Sequence, residues 1–356
     1  MIDSLETFTQ QDFLYFAAQI EDWYFQNKRE LPWRDIKDPY RIWISEIILQ
    51  QTRVVQGYNY YLRFIDRFPS VGDLAKADED EVLKLWQGLG YYSRARNLYR
   101  AAKSIVAKGK FPTNYKEIRM LKGVGDYTAA AIASFAYNLP YAVVDGNVYR
   151  VLARYWGITA PIDTTKGKKL FASLAQDLLD KKNPAQYNQA LMDFGALQCV
   201  PNSPNCNECP LQENCVAFLE TSVSSLPVKS KKTAIRTRFL VYLYMRCGNR
   251  ILLHRRERGD IWQGLYEPLL IEFFEPADLP LIIQKVNLPK ESAFRLAVKG
   301  MKHVLTHQVL IVDCYEVELT EFTTIEKYSF IPEKERGNYP ASRLVEQLYE
   351  AIDNLK

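Results

Sequence analysis

Glu46 stands inside an apolar run, Ile44-Ser45-Glu46-Ile47-Ile48. Burial penalises the charged form of a carboxyl, so in such surroundings its pKa rises. A carboxylic acid that keeps its proton near neutrality can act as a general acid; the same residue on a solvated helix edge would have no such part. A second carboxylate, Asp145, follows the apolar run Tyr141-Ala-Val-Val and precedes a helical stretch. It reads either as a plain helix N-cap or as a semi-buried carboxylate in a site. Upstream, Gly123-Val124-Gly125 sits between two helical patterns. Glycines one residue apart permit positive φ and a close backbone approach to a ligand. The helix that follows offers unpaired N–H groups and a positive dipole end, which suit a phosphate. Hairpin and carboxylate together suggest an enzyme that grips a nucleic-acid backbone and does chemistry beside it.

Two further clusters have chemical potential. Gly88 and Gly90 bracket a turn with Tyr91 and Tyr92 at its tip and Arg94 and Arg96 on the next helix. Rings there can stack or wedge into DNA while guanidiniums meet phosphates. Four of the six cysteines fall as Cys199-x6-Cys206-x2-Cys209-x5-Cys215. Without an export signal such a cluster reads as metal binding in a reducing compartment, with zinc the default ion for a C-x-x-C. Cys247 and Cys314 stand apart and read as core thiols.

The elements that must position these groups fill 356 residues, enough for two domains, and 47% hydrophobic residues can build sizeable cores. A net charge of +4 is too small to announce nucleic-acid binding, so any basic footprint must be local. No apolar run is long enough to cross a bilayer and MIDSLETF is not a signal peptide, so a cytoplasmic protein with no membrane partner is expected. Residues 4–27, with Leu5, Phe8, Phe13, Phe16, Ile20 and Tyr24, form an amphipathic pattern. Pro32 then breaks the helix and exposes Trp33 between Arg29 and Arg34, unless that Trp is simply structural. Asp38-Pro39 opens a helix expected to run to about residue 68. Helices are also expected around 73–75 and 81–86, on both sides of the hairpin (about 113–138), and over 166–197. Residues 219–235 are Ser/Lys-rich and read as a linker. Beyond it the texture turns to β-type runs at 239–245, 250–253, 269–274 and 304–317, closed by a helix over 341–355.

Leu121-x-Gly123-Val124-Gly125-x-x-Thr128-Ala129, followed by Val144-Asp145-x-Asn147-Val148-x-Arg150, resembles the helix–hairpin–helix DNA glycosylases. Within that superfamily, PYRIWISEIILQQTRV and GLGYYSRAR resemble the adenine DNA glycosylases, the MutY family. The resemblance implies that Glu46 is the catalytic acid and that Gln51, beside Gln50 and Thr52, enters the opened base stack. It further makes Tyr91 a wedge with Arg94 nearby, and has Gly123 and Gly125 meet phosphates. Arg29, Trp33, Arg34 and Gln189 are expected around the adenine, with Asn147 and Tyr127 as positioning groups beside Asp145. The related endonuclease III family carries a lysine where this chain has Tyr127, and a phenol cannot form the imine that leads to strand cleavage. The cysteine spacing is similar to the 4Fe–4S loop of both families, which makes Cys199, Cys206, Cys209 and Cys215 cluster ligands.

In the C-terminal part, Ile261-Trp-Gln-Gly-Leu-Tyr-Glu-Pro resembles a string of MutY C-terminal domains, which are Nudix-like; the catalytic Nudix box itself is absent. Leu305-Thr306-His307 stands where the family usually has Phe-Ser-His for 8-oxoguanine recognition, so Leu replaces the intercalating-size Phe. The expected architecture is therefore multidomain. An all-α helix–hairpin–helix glycosylase domain (1–218) carries an iron–sulfur loop (199–215). An α+β Nudix-like domain follows at 236–356. The expected activity is hydrolysis of the N-glycosidic bond of adenine opposite 8-oxoguanine or guanine in double-stranded DNA, by a monomer, nucleoid-associated if bacterial.

Overall fold

Several helices in the first two-thirds of the chain (those starting at Gln10, Pro39, Tyr115, Gly146 and Thr165) begin at a side-chain cap that the sequence supplies. The computed structural model describes residues 8–230, 235–286, 288 and 291–355, so Leu5 and residues 231–234 of the expected linker lie outside the described residues. In order the helices are α1 (Gln10–Asn27), α2 (Pro39–Leu49), α3 (Val54–Arg67), α4 (Val71–Lys76), α5 (Glu79–Trp86), α6 (Ser93–Ala107) and α7 (Tyr115–Arg119). There follow α8 (Asp126–Tyr137), α9 (Gly146–Tyr155), α10 (Thr165–Leu178), α11 (Pro184–Leu197) and α12 (Val216–Leu219). Thr9 and Asp12 close a capping box on α1, with the Thr9 N–H donating to Asp12 Oδ2 at 2.7 Å. Asp38 caps α2 by accepting from the N–H groups of Tyr40 and Arg41, and Pro39 fills the first turn.

Contacts divide the described residues into two compact units, one of 8–56, 70–72 and 101–230, the other of 57–69, 73–100 and the described part of 235–355. In the first unit α1, α9, α10 and α11 share a core built on Phe16, Ile20, Leu152, Phe171, Leu174, Leu191 and Phe194. Residues 40 and 42–48 of α2 are buried on every side, as suits a helix at the centre of a domain.

The single helix expected over 39–68 is broken. Gln50 leaves the helical region with ψ 113° and Gln51 takes φ +55° before α3 begins. At the break the Gln50 Nε2 donates to the hydroxyl of Thr128 on α8 at 2.9 Å, and no glycine or proline marks the site. The hairpin also differs from expectation. Gly123 has φ +81°, which demands glycine. Gly125 has φ −92° and serves as a cap without a side chain, and a Cβ there would meet nothing within 4 Å.

In the second unit the strands are β1 (Arg236–Cys247), β2 (Arg250–Arg255), β3 (Tyr266–Glu267), β4 (Leu269–Phe273), β5 (Ala293–Val304), β6 (Gln308–Glu318) and β7 (Tyr328–Pro332). Besides the helices of 57–69 and 73–100, this unit contains α13 (Leu279–Lys285) and α14 (Arg343–Asp353). The strands form one mixed sheet in the order β3-β2-β1-β6-β5, with β4 paired to β1 and β7 to β2. The long β1 and β6 run parallel from Arg236↔Gln308 to Arg246↔Glu318. Leu240, Tyr242 and Tyr244 point to the face covered by α14, while Val241, Leu243 and Met245 point to the face covered by α13. A sheet covered on both sides explains why β1 is buried almost continuously. Cys314 and Cys247 lie in these cores as buried thiols.

Candidate active site

In the first unit a cavity of about 560 Å³ gathers residues far apart in sequence. The 28–38 loop supplies Arg29, Trp33 and Arg34, α2 supplies Glu46, α8 supplies Tyr127, the start of α9 supplies Asp145 and Asn147, and α11 supplies Gln189. A larger cleft of about 750 Å³ lies in the second unit beside α14 and holds none of the expected catalytic residues.

Glu46 is only 6% exposed, and its Oε2 accepts from the Tyr127 hydroxyl at 2.9 Å. Burial pushes its carboxyl up to about 7; the charge of Asp145 adds to the rise, while the Tyr127 bond and the Arg34 guanidinium oppose it. Burial first, and then the neighbouring Glu46, raise the Tyr127 phenol well above its ordinary value, so it stays a neutral donor. The arrangement can hold and deliver a proton near neutral pH.

Asp145 satisfies both of its sequence readings. It caps α9, its Oδ1 accepting from the N–H groups of Asn147 and Val148 at 2.8 Å each, and it also lines the cavity. Its Oδ2 accepts from Asn147 Nδ2 at 2.9 Å. Burial raises its pKa, and those three donors pull the other way by favouring the anion. Arg150, one turn along α9, donates to Asn147 Oδ1 at 2.9 Å and to the Gly195 carbonyl at 2.6 Å. A Cβ at Gly195 would lie 2.7 Å from that of Asn147, so glycine is what lets α9 and α11 approach here.

The four clustered cysteines follow α11 on a loop with two short 3-10 turns. Arg150 Nε donates to the Cys199 carbonyl at 2.7 Å, and Arg154 reaches Cys199 Sγ at 3.4 Å and the carbonyls of Val200 and Pro201. All four thiols are half-buried. Burial raises Cys206, Cys209 and Cys215, and in each case Cys199 adds an electrostatic contribution. Yet among the described residues no three His, Cys, Asp or Glu side chains converge as ligands of one metal ion would. Thiolates on a single zinc stand only about 4 Å apart, whereas a cubane presents its corners to more widely spaced sulfurs. The four thiols are an all-sulfur donor set coupled electrostatically through Cys199, a chemistry that suits a thiophilic metal centre.

Among the residues expected at DNA, Gln51 is exposed, Gln50 is engaged with Thr128, and Thr52 is half-buried. Met120, just before the hairpin, is 78% exposed, and Arg119 braces the hairpin by donating to the Val124 carbonyl at 2.9 Å.

In the second unit Tyr91 has φ +46° and is half-exposed at its turn. Arg94 is not presented outward as expected. It is buried under the turn, with Nη2 donating to the Gly90 carbonyl at 3.3 Å and its guanidinium over the Trp86 ring at 5.2 Å. Leu305-Thr306-His307 forms the tight turn between β5 and β6, closed by the Leu305 N–H on the Gln308 carbonyl at 2.8 Å. The Thr306 hydroxyl meets the Tyr91 hydroxyl at 2.5 Å, and Tyr91, Trp262 and residues 305–307 line a cavity of about 500 Å³. Leu305 packs against the core shared with α14, which gives this shorter side chain a local structural role.

Sequence reasoning missed Tyr24 and Asp193, which bond to the pocket residues from behind. The available signal was spacing: Asp193 follows Gln189 by one helical turn in an otherwise apolar stretch.

Two family models match the chain: HhH-GPD superfamily base excision DNA repair protein over residues 44–176, and NUDIX domain over 241–351. An adenine DNA glycosylase of Buchnera aphidicola subsp. Baizongia pistaciae is 38% identical over 305 residues, covering 84% of this chain and 85% of that protein. One from Buchnera aphidicola subsp. Schizaphis graminum is 37% identical over 254 residues, covering 70% and 73%. Among solved structures, a thermostable thymine-DNA glycosylase superposes with a TM-score of 0.55 at 30% identity, covering 59% of this chain and 98% of that one. With such identity spread over most of its relatives' length, and the superfamily's hairpin and carboxylates gathered at one cavity, the chain belongs to the adenine DNA glycosylase family.

Proposed function

We propose that this chain is a base-excision DNA glycosylase that hydrolyses the N-glycosidic bond of adenine mispaired with 8-oxoguanine or guanine, and leaves the strand intact. The observation that carries the reading is Glu46, buried beside Asp145, bonded to Tyr127 and protonated up to about pH 7. On this reading residues 1–218 are the catalytic domain and 236–356 the domain that reads the lesion. The hairpin backbone at Gly123 and the α8 N-terminus hold a phosphate, and the flipped adenine enters the cavity against Trp33. Glu46 gives its proton to a ring nitrogen, so the base departs as a neutral molecule. Asp145, whose anionic form its three donors favour, faces the oxocarbenium-like sugar until water adds and its proton returns to the Glu46 carboxylate. Gln51 enters the opened base stack, and in the second unit Tyr91 is a DNA wedge and Leu305, Thr306 and His307 read the lesion. Cys199, Cys206, Cys209 and Cys215 would hold a 4Fe–4S cluster, which when bound supplies a redox-capable clasp for the loop behind α9.

The test is a set of end-labelled duplexes carrying A opposite 8-oxoguanine, A opposite guanine, or thymine glycol, each read with and without alkali. Strand breaks at A that appear only after alkali are expected, with thymine glycol untouched. Breakage at thymine glycol without alkali would instead identify an endonuclease III-like enzyme.

A further inference from the structure

Arg29, Arg34 and Gln189 line the cavity, and behind its wall all three end on two residues that do not line it, Asp193 and Tyr24. Asp193 sits one turn beyond Gln189 on α11, and its side chain is wholly shielded from solvent. Its Oδ1 accepts from Arg34 Nη2 at 2.9 Å and from Arg29 Nε at 3.1 Å, with Arg29 Nη2 also in contact. Its Oδ2 accepts from the Arg29 backbone N–H at 3.3 Å. From Arg34 the network continues: Nη1 donates to the Tyr24 hydroxyl at 3.3 Å, and Tyr24 donates to Gln189 Oε1 at 3.2 Å. A guanidinium has no acceptor, so the phenol oxygen takes the Arg34 N–H, and the phenol's own proton is free for the amide oxygen of Gln189, the atom that faces it. That orients Gln189 with Nε2, a donor only, away from Tyr24. Burial raises the Tyr24 phenol, so it keeps the proton this relay needs.

We propose that Asp193 and Tyr24 are positioning residues for base selection: the buried carboxylate clamps both guanidiniums to the pocket wall, and the phenol locks the Gln189 amide so that this wall offers the base only hydrogen-bond donors. This rests on the adenine-excision reading above. A donor wall suits adenine, whose N1 and N3 are acceptors. Where a donor of this wall faces N1, adenine accepts its bond, whereas hypoxanthine, a purine of the same shape whose N1 carries a proton, sets two donors against each other. The clamp also sets charge. Glu46 is faced by Arg34, by Tyr127 of α8 and by Asp145 of α9, while Arg29, Arg53 and Arg150 line the same cavity. Asp193 offsets part of the positive charge of Arg29 and Arg34; without it, both guanidiniums favour ionised Glu46.

The test compares the full-length protein with Tyr24→Phe and Asp193→Asn in single-turnover release of adenine and of hypoxanthine opposite 8-oxoguanine, from pH 5.5 to 9. Melting temperatures and affinity for an abasic-site duplex accompany the rates. Tyr24→Phe is expected to slow adenine release about 10- to 100-fold, with duplex affinity within about twofold. Its preference for adenine over hypoxanthine should fall about tenfold, because the freed amide can turn and accept. Asp193→Asn should move the alkaline loss of activity to lower pH by roughly half a unit or more. If Asp193→Asn does not fold, the selectivity of Tyr24→Phe decides alone. Unchanged selectivity in Tyr24→Phe, or slowing in Asp193→Asn with an unmoved pH midpoint, overturns the proposal while adenine release by the unaltered protein upholds the reading beneath it. No adenine release by the unaltered protein overturns both.

Discussion

Replacing Glu46 by Gln is expected to stabilise the folded protein, by an amount that grows with pH. Burial lifts the Glu46 carboxyl from its ordinary 4.5 to about 7, against the pull of the Tyr127 bond and of Arg34. The unfolded chain therefore gives up this proton from about pH 4.5, the folded protein only from about pH 7. Below the lower value both states hold the proton and the full contribution of the neutral acid is present. As pH rises through 7 that contribution is lost, and above it the loss is complete. The gap between the two values, at about 1.4 kcal/mol per pH unit, amounts to about 3 kcal/mol above pH 7 and about 1 kcal/mol at pH 5.5. Glutamine is neutral throughout, so the stability difference between variant and wild type should widen by about 2 kcal/mol from pH 5.5 to pH 8.5. Any fixed gain or loss in the bond to Tyr127 cancels in that comparison. Urea unfolding of both proteins at the two pH values, fitted with a common slope, measures it. A difference that stays constant within about 0.5 kcal/mol refutes the claim that the fold holds Glu46 neutral.

Asp145→Asn keeps an acceptor for the α9 N–H groups and should retain DNA affinity, yet lose excision by about 10³-fold or more; excision within tenfold of wild type would remove the electrostatic role of Asp145. The purified protein should be yellow-brown with about four iron atoms per chain, and one zinc with no iron would overturn the cluster reading. Borohydride should trap little covalent complex with DNA, because Tyr127 offers no amine, whereas Tyr127→Lys should introduce trapping. Efficient trapping by the unaltered protein would mean that another lysine reaches the sugar.

Local chemistry made much of the site legible in the sequence. An acid in an apolar run, a carboxylate before a helix and a glycine hairpin are each visible within a few residues, and Glu46, Asp145 and Tyr127 do line one cavity. What stayed hidden depends on distant partners. The break after α2 has no glycine or proline to announce it and coincides with the Gln50–Thr128 bond. Arg94 looked like a phosphate contact, but its turn carbonyls and the Trp86 ring draw it inward. Strand β5 gave no expectation because Arg295, Lys299, Gly300 and Lys302 interrupt its apolar positions, as suits a strand at the sheet edge. Residues 57–69 and 73–100 precede the hairpin in sequence yet group with the C-terminal strands, through bonds such as Asp80 with Arg255 and Tyr92 with the Ala341 carbonyl. No sequence pattern encodes such pairings.

The central claim is that Glu46 supplies the proton on which adenine leaves. Single-turnover release of adenine opposite 8-oxoguanine, followed against pH for wild type and Glu46→Gln, tests it most directly. The wild-type rate should fall along a limb centred near pH 7, the value to which the fold raises this carboxyl. The variant should bind the duplex with affinity within about tenfold of wild type and release adenine at least about 10³-fold more slowly at every pH. Release by Glu46→Gln within tenfold of the wild-type rate would contradict the claim.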